Sequence, residues 1–589
     1  MLKFMMGVFS IAPLCLGVAT VCAKGYGYTS KPKDLSFTDI SEQFDFVRQN
    51  LPGGYGPSGM QGIGGIALFD YNNDGNLDIY FSNGAGFDNG LYRNNGDGTF
   101  TDVTASAGVA YGKGSSGVVA GDVDNDGFTD LFLVGRPGIM APALASAPVL
   151  YHNQGDGTFK NITLAAGITI ADENGQALPL RAVISAAMAD IDGDGYLDIY
   201  MTNPGGVLPD ANGKLFHNNG DLTFTEIGEE AGLAGDLGAC VTAFSDYDAD
   251  GDSDLFVGSC GLVEPAPGGL GFLPVLTPVS IYRNDGDLKF TDVTKVSGMG
   301  DELGLWMSLS FGDFNNDGHI DLFSTNFGKD VGAFPFPFDN PHGLFKNNGD
   351  GTFTNIASEA GVANLEFGWG SSVTDFDNDG FADIFLAGSF ALPPLSIVGP
   401  GAGNPGRLFL SDNKDYFKPN TFTEVKTDGE DIGFDMENDF PSGVAFGDLN
   451  NDGFQDIVVL REQLPPLAVG EPLVMLNNGN KNHWIDFDLK GVESNASAVG
   501  ARVTIKSGHG CQTQEVYAGS SFASSDTKRI HFGLGKRRGI RQVKVDWPSG
   551  KSEFFRSGYR SADKVYTLTE GEGYSVKNKK RAKKWCSKR

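Results

Sequence analysis

A nine-residue pattern, D-x-[DN]-x-D-G-x-x-D, recurs seven times in this chain of 589 residues. The copies are DYNNDGNLD from Asp70, DVDNDGFTD from Asp122, DIDGDGYLD from Asp190 and DYDADGDSD from Asp246. DFNNDGHID from Asp313, DFDNDGFAD from Asp375 and DLNNDGFQD from Asp448 complete the set. Oxygen-bearing side chains stand at positions 1, 3, 5 and 9 around a glycine at position 6, and position 7 can add its backbone carbonyl. Ca²⁺ takes six to eight hard oxygen ligands on a sharply turned loop. The ligand set so assigned is Asp70, Asn72, Asp74, Asn76 and Asp78 in the first copy, and Asp122, Asp124, Asp126, Phe128 and Asp130 in the second. It is Asp190, Asp192, Asp194, Tyr196 and Asp198 in the third, and Asp246, Asp248, Asp250, Asp252 and Asp254 in the fourth. The fifth supplies Asp313, Asn315, Asp317, His319 and Asp321, and the sixth Asp375, Asp377, Asp379, Phe381 and Asp383. The seventh supplies Asp448, Asn450, Asp452, Phe454 and Asp456. An EF-hand would need a bidentate Glu at position 12. That place holds Phe81, Leu133, Met201, Val257, Ser324, Leu386 and Val459, so the helical reading is rejected. A single copy would suit a metal-free Asp/Asn/Gly turn equally well. Seven in one register favour about seven structural Ca²⁺ sites.

Each copy lies between two β-type runs, such as GGIALF before and IYFS after the first. A second block recurs further on, as in LYRNNGDGTFTDVT from Leu91 and LYHNQGDGTFKNIT from Leu150. Its Asn-Gly-Asp-Gly core is a hairpin turn between two more strands. The repeat is therefore four strands, 52 to 73 residues apart at the first Asp. Four antiparallel strands repeated radially describe a propeller blade. The seventh repeat is one strand short, and LSFTDISEQ from Leu35 copies the missing one, so the N-terminal strand is expected to close the last blade. That would also cover an open sheet edge.

The repeats resemble the FG-GAP/VCBS repeats of integrin-type propellers. Asn482 to about Glu570, with SNASAVGARVTI, EVYAGSSFASSD, RIHFGLG and VDWPSGK, resembles the ASPIC/UnbV domain. Together they point to the secreted family that includes cartilage acidic protein, without its Cys-rich C-terminal module. The resemblance implies an all-β chain: a seven-bladed β-propeller over 35–480, then a β-sandwich over 482–570 and a basic tail over 571–589. It implies Ca²⁺ sites and roles in adhesion and matrix more than a reaction.

Formal charge is −30, and about a third of the 74 acidic residues lie in the seven loops. Seven Ca²⁺ would offset about half of that charge. Nucleic acid is an unsuitable partner for such a body. Lys3 and an apolar stretch to Val21, ending Val21-Cys22-Ala23, read as a signal peptide (1–23) cut after Ala23, with the product secreted, periplasmic or on the cell surface. No later run is long enough to span a bilayer. Cys240 and Cys260 flank Asp250 ten residues to either side, which places them across a hairpin within disulfide range. Cys511 and Cys586 form a second possible pair. The tail from Lys577 reads as a solvated end, or as an anchor to anionic polysaccharide or headgroups.

His152 and His217 fall where Arg93, Arg283 and Lys346 stand in other repeats, and are read as surface positions rather than ligands. No HExxH, GxSxG, P-loop or CxxC motif is present. The long second-strand loops start at Gly135, Gly261, Gly332, Ser389 and Glu462 and are rich in Pro, Phe and Leu. They should share the face opposite the Asp-rich loops. There they would offer an apolar surface to an extracellular protein or glycan, with membrane contact as a further option. Alternatively they plug the ring's end or dock the C-terminal domain. The favoured reading is a calcium-stabilised binding or adhesion protein. The alternative is an extracellular lyase, hydrolase or isomerase acting on a polysaccharide or small metabolite at the ring's mouth.

Overall fold

The computed structural model describes residues 35–575, apart from 47, 50–63, 85, 136–145, 172–176, 179–182, 203–212, 234–237, 261, 266–271, 329, 332–333, 336–338, 365–366, 389–405, 413–420, 426–438, 464–468, 507–510 and 557–560. The expected leader and most of the basic tail lie outside that set. Seven four-stranded antiparallel sheets make a propeller. Blade one is Ile66–Phe69, Asp78–Phe81, Gly90–Asn94 and Phe100–Asp102. Blade two runs from Ser115–Gly121 to Phe159–Asn161, blade three from Ala186–Ala189 to Phe224–Glu226, and blade four from Ala239–Ser245 to Phe290–Asp292. Blade five runs from Ser310–Gly312 to Phe353–Asn355 and blade six from Ser371–Thr374 to Phe422–Val425. Blade seven takes Asp439–Gly447, Asp456–Gln463 and Leu473–Asn477 from the end of the ring, and Phe37–Asp39 from its start. Phe37 pairs with Asn477, so the first strand of the chain completes the last sheet.

Each second strand is buried on both sides, as in DIYF of Asp78–Phe81, because neighbouring blades cover both sheet faces. In five blades the fourth strand hides its leading Phe and exposes the next two residues, as in Phe159–Asn161; Phe100 of blade one is half-buried, and Phe422–Val425 of blade six buries both of its ends. The interior is thus a series of inter-blade layers. Ala67, Phe69 and Tyr80 of blade one meet Val118, Leu131 and Leu133 of blade two. Phe314, Phe323 and Leu344 of blade five meet Ile384 and Phe409 of blade six.

Polar latches lock the same seams. In six of the seven blades the Asn that ends the third strand donates its amide to the position-2 carbonyl of the preceding blade's Asp-rich loop. Asn153 reaches Tyr71 at 2.8 Å, Asn218 reaches Val123 at 2.8 Å and Asn284 reaches Ile191 at 2.8 Å. Asn347 reaches Tyr247 at 2.7 Å, Asn477 reaches Phe376 at 2.8 Å and Asn94 reaches Leu449 at 2.7 Å. Blade six has Ser411 at this place. A buried carbonyl left unpaired costs about 1–3 kcal/mol, which makes such an Asn hard to replace.

The C-terminal module is two packed sheets. One orders Ile530–Gly535, His483–Lys490 and Val565–Thr569, the last pair parallel. The other orders Cys511–Glu515, Arg502–Lys506, Gln542–Asp546 and Ser552–Arg556. Ile485, Val503, Val543, Phe532 and Trp547 fill the space between them, and this core runs on into blades two and three.

The module docks on the Asp-rich face. Ala496 N–H donates to Asn125 Oδ1, Arg502 donates to the Asp246 carbonyl, and Gly535 N–H donates to the Asn378 carbonyl. From there a finger, 517–527, descends the propeller axis. Met188 N–H donates to the Ala518 carbonyl, Val118 N–H to Ala523, and Leu68 N–H to Ser525. Ser521 N–H donates to the Leu309 carbonyl, its hydroxyl accepts from Ser371 N–H, and Asp526 accepts from Phe446 N–H. The finger therefore meets inner-strand backbone of six blades, and Tyr517 stacks on Phe311 at 5.6 Å. Small residues make this fit. A side chain on Gly65 or Gly117 would collide with Ala523. At the tip Phe522 is fully buried against Trp369, with ring centres 5.1 Å apart, among Ile184, Met307, Phe367 and the half-cystines. It thus reaches the far mouth of the ring.

Candidate metal centres

The loop conformation follows from its side chains. Position 4 is left-handed throughout, from φ 55° at Asn316 to 75° at Gly193, and position 6 is left-handed at Gly75 with φ 89°. In loop one Asp70 accepts the N–H groups of Asp74 at 3.0 Å and Gly75 at 2.7 Å. Loops four to seven repeat that pair, as with Asp375 and the N–H groups of Asp379 and Gly380. The last Asp staples the loop to its sheet. Asp78 accepts from Tyr71 N–H and from Asn94 N–H on the third strand, at 3.0 and 2.8 Å. Asp130, Asp198, Asp321 and Asp456 hold the corresponding pairs.

These carboxylates are poor anions without a counter-charge. Burial pushes Asp78 and Asp130 up to about 8. Burial, with the neighbouring carboxylates adding to it, raises Asp122 and Asp190 to about 6. Burial holds Asp198, Asp254, Asp313, Asp321, Asp375, Asp383 and Asp456 well above the usual carboxylate range. Asp122 Oδ1, Asp248 Oδ1 and Asn315 Oδ1 are buried with no hydrogen-bond partner. Orphaned oxygens at positions 1 and 3 among repelling carboxylates suit a bound cation. In two loops the donor atoms of three such residues, Asp122, Asp124 and Asp130, or Asp190, Asp192 and Asp198, lie within 4.8 Å of one another. Asp246, Asp248 and Asp250 group likewise. Positions 1, 3, 5 and 9 would hold the ion and supply its charge neutralisation.

Position 7 side chains do another job. Asn76, Phe128, Tyr196, His319 and Phe454 lie against the turn glycines Gly96, Gly155, Gly220, Gly349 and Gly479 of their own blades. Asp252 is exposed and Phe381 buried. Position 4 is a contact that sequence reasoning passed over. Asn73, Asn125, Asn316 and Asn378 donate across the seam to the position-6 carbonyls Gly127, Gly195, Gly380 and Gly453 of the next blade, at 2.7–2.9 Å. His152 and His217, read from the sequence as surface positions, are half-buried beside the loops. Each Nε2 faces the position-3 carboxylate, Asp124 at 2.8 Å and Asp192 at 2.9 Å. Cys240 and Cys260 are bonded, with Cα atoms 5.5 Å apart. A bulge between Ala239 and Val241 turns Cys240 out of the ladder toward its partner. Cys511 is also disulfide-bonded, and Cys586, its expected partner, lies outside the described residues.

Two polar sites lie where the C-terminal module meets the ring. His531 bridges Asp486 Oδ1 at 2.7 Å and Asn378 Oδ1 at 2.6 Å, fully buried, so both ring nitrogens face oxygens. Arg502 pairs with Glu515 at 2.5 Å, and Glu515 also accepts from Ser245 and Tyr517 hydroxyls. A cavity of about 70 Å³ between blades five and six and the finger is lined by Asp313, Asp375, Gln514, Tyr517 and Asp526. It has room for a few waters.

FG-GAP-like repeat models match residues 70–133, 139–201, 190–257, 274–324 and 334–386, and the ASPIC and UnbV model matches 491–575. The chain belongs to the FG-GAP-repeat proteins that carry an ASPIC/UnbV domain. Repeats of this family generally bind calcium. The chain is 25% identical over 505 residues to cartilage acidic protein 1 of Xenopus tropicalis, covering 74% of this chain and 70% of the relative. It is 24% identical over 494 residues to the Homo sapiens protein of the same name, covering 74% and 69%. Among solved structures it is similar to the rhamnogalacturonan lyase YesW, 14% identical with a TM-score of 0.35 over 76% of this chain and 74% of that one. The V. cholerae biofilm matrix protein Bap1 is 12% identical, with a TM-score of 0.29 over 85% and 60%. Likenesses this weak carry no argument about this FG-GAP protein. Among the described residues no helix is long and apolar enough to cross a membrane.

Proposed function

We propose that this FG-GAP protein is exported, that Ca²⁺ fills its Asp-rich loops as a structural ion, and that it binds an extracellular protein or glycan. The observation that carries this reading is the filled axis. Finger residues Ala518–Ser525 occupy the channel that a ring-centred active site would use, bonded to backbone rather than leaving reactive groups exposed. The C-terminal module covers the Asp-rich face. Recognition is thereby left to the opposite face, where the second strands end at Gly135, Ser259, Ser324, Leu386 and Gln463. Most of the long apolar loops that follow lie outside the described residues. In blades four and five their described parts form small hairpins, Leu262–Pro265 with Phe272–Val275 and Asp330–Val331 with Phe334–Pro335. A rigid ring carrying variable loops on the face opposite the module suits binding. The disulfide Cys240–Cys260 fits an oxidising compartment.

The test is a glycan and matrix-protein array probed with full-length protein in millimolar Ca²⁺. A variant with residues 266–271 replaced by a short Gly-Ser link should lose its hits while its melting curve holds. No hits with the intact protein, or unchanged hits after loop replacement, would sink the reading.

A further inference from the structure

In blades two and three the repeat adds a nitrogen donor to the oxygen cluster. His152 Nε2 lies 2.8 Å from Asp124 Oδ2, and His217 Nε2 lies 2.9 Å from Asp192 Oδ2. The donor atoms of Asp124, Asp126 and His152 lie within 4.8 Å of one another, as do those of Asp192, Asp194 and His217. Ligand atoms about 2.1 Å from one ion span no more than about 4.2 Å, so small side-chain shifts bring each trio onto a single centre. The other repeats place Arg93, Arg283, Lys346, Leu410 and Leu476 here, none of which is a metal ligand at neutral pH.

Two further features of blade two point to an ion. Asp122 Oδ1 is buried with no partner, and Asp122 groups with Asp130 and with Asp124, which the His152 trio shares. Gln154 stands where blades one, three and five have Asn95, Asn219 and Asn348, and its amide lies 2.6 Å from His152 Nδ1. Those Asn residues turn instead to Thr hydroxyls of their own hairpins. The longer Gln supports the imidazole from behind, and with its amide turned over its oxygen accepts the Nδ1 proton. Metal-binding histidines regularly have such a partner on the second nitrogen. The half-buried Lys528 ammonium acts on Asp122 and Asp130, which trims the negative charge that a hard ion relies on.

Imidazole favours zinc and its transition-metal neighbours, whereas Ca²⁺ takes oxygen. We propose that blades two and three bind a divalent transition ion through His152 and His217 with the flanking carboxylates, while the all-oxygen loops take Ca²⁺. The proposal rests on the reading that the loops hold cations at all. The assay dialyses full-length protein against micromolar Zn²⁺ in millimolar Ca²⁺ and measures both metals in the retained protein. Wild type should keep two equivalents of zinc, H152R one, and H152R/H217R none, with Ca²⁺ in the other blades unchanged. Arg is the residue of blade one at this position, so the variants keep a side chain the repeat tolerates, and their melting curves check folding. Zinc absent from a wild type that holds Ca²⁺, or equal in wild type and double variant, overturns the proposal. Loss of both metals from wild type would overturn the cation reading instead.

Discussion

Stripping the ions should make stability fall as pH rises, the reverse of ordinary acid denaturation. Asp78 and Asp130 are fully buried, and burial raises each from 3.8 to about 8 in the metal-free fold. In the unfolded chain both ionise near the ordinary value. Between those limits the folded state holds a proton on each group that the unfolded state has released. Their contribution is therefore full below about 3.8 and is lost as pH rises through about 8. Each group gives a slope of about 1.4 kcal/mol per pH unit in that window, so the two together give about 3. Asp198, Asp321 and Asp456 shift in the same direction. Saturating Ca²⁺, which with no zinc present also fills blades two and three, keeps these carboxylates ionised in the folded state and should flatten the dependence. The ion adds about 2.7 kcal/mol per site at a hundredfold excess over its dissociation constant. Urea unfolding followed by tryptophan fluorescence at about pH 5, 6 and 7, with excess chelator and with millimolar Ca²⁺, reads both slopes. A metal-free slope below that of one proton, about 1.4 kcal/mol per unit, would refute the argument. So would a slope that Ca²⁺ leaves unchanged.

Phe522→Ala should cost about 3–5 kcal/mol, since the ring is fully buried at the finger tip, and should perturb the near-ultraviolet signal of Trp369; a loss below about 1 kcal/mol would mean that the finger tip does not pack as described. Asn218→Ala removes the amide from two buried carbonyls, Val123 and Leu197, and should cost about 2–5 kcal/mol in urea unfolding. Arg502→Ala strands Glu515 in a buried site and should cost about 3–5 kcal/mol, measured against Arg502→Ala/Glu515→Gln, which should recover part of it. Replacing Cys240 and Cys260 together by Ser opens a link across 20 residues and should cost about 3 kcal/mol.

Much of the architecture was legible because the repeat repeats its turn chemistry. Asp, Asn and Gly at set positions specify a left-handed loop, and the alternation of buried and exposed residues marks the strands beside it. Phe37–Asp39 was recognisable because it copies Phe100–Asp102. The finger was not. EVYAGSSFASSD has small residues, one Phe and no strong period, and nothing local says that its neighbours are six inner strands. The position-4 Asn residues could have been found: Asn at five of seven copies, with Gly193 and Ala249 in the other two, is more than turn preference requires. Gln154 was visible only as one letter different from its counterparts.

By itself the sequence determined the blade: its four strands, its Asp-rich loop and its count of seven. Those are encoded within each repeat by side chains that bond to backbone a few residues away. Tertiary structure decided what the faces and the axis are for. It set the C-terminal module over the Asp-rich loops, sent Phe522 down the channel and brought His152 to Asp124. These are contacts between residues tens to hundreds of positions apart, and they follow from how whole sheets pack rather than from any local pattern.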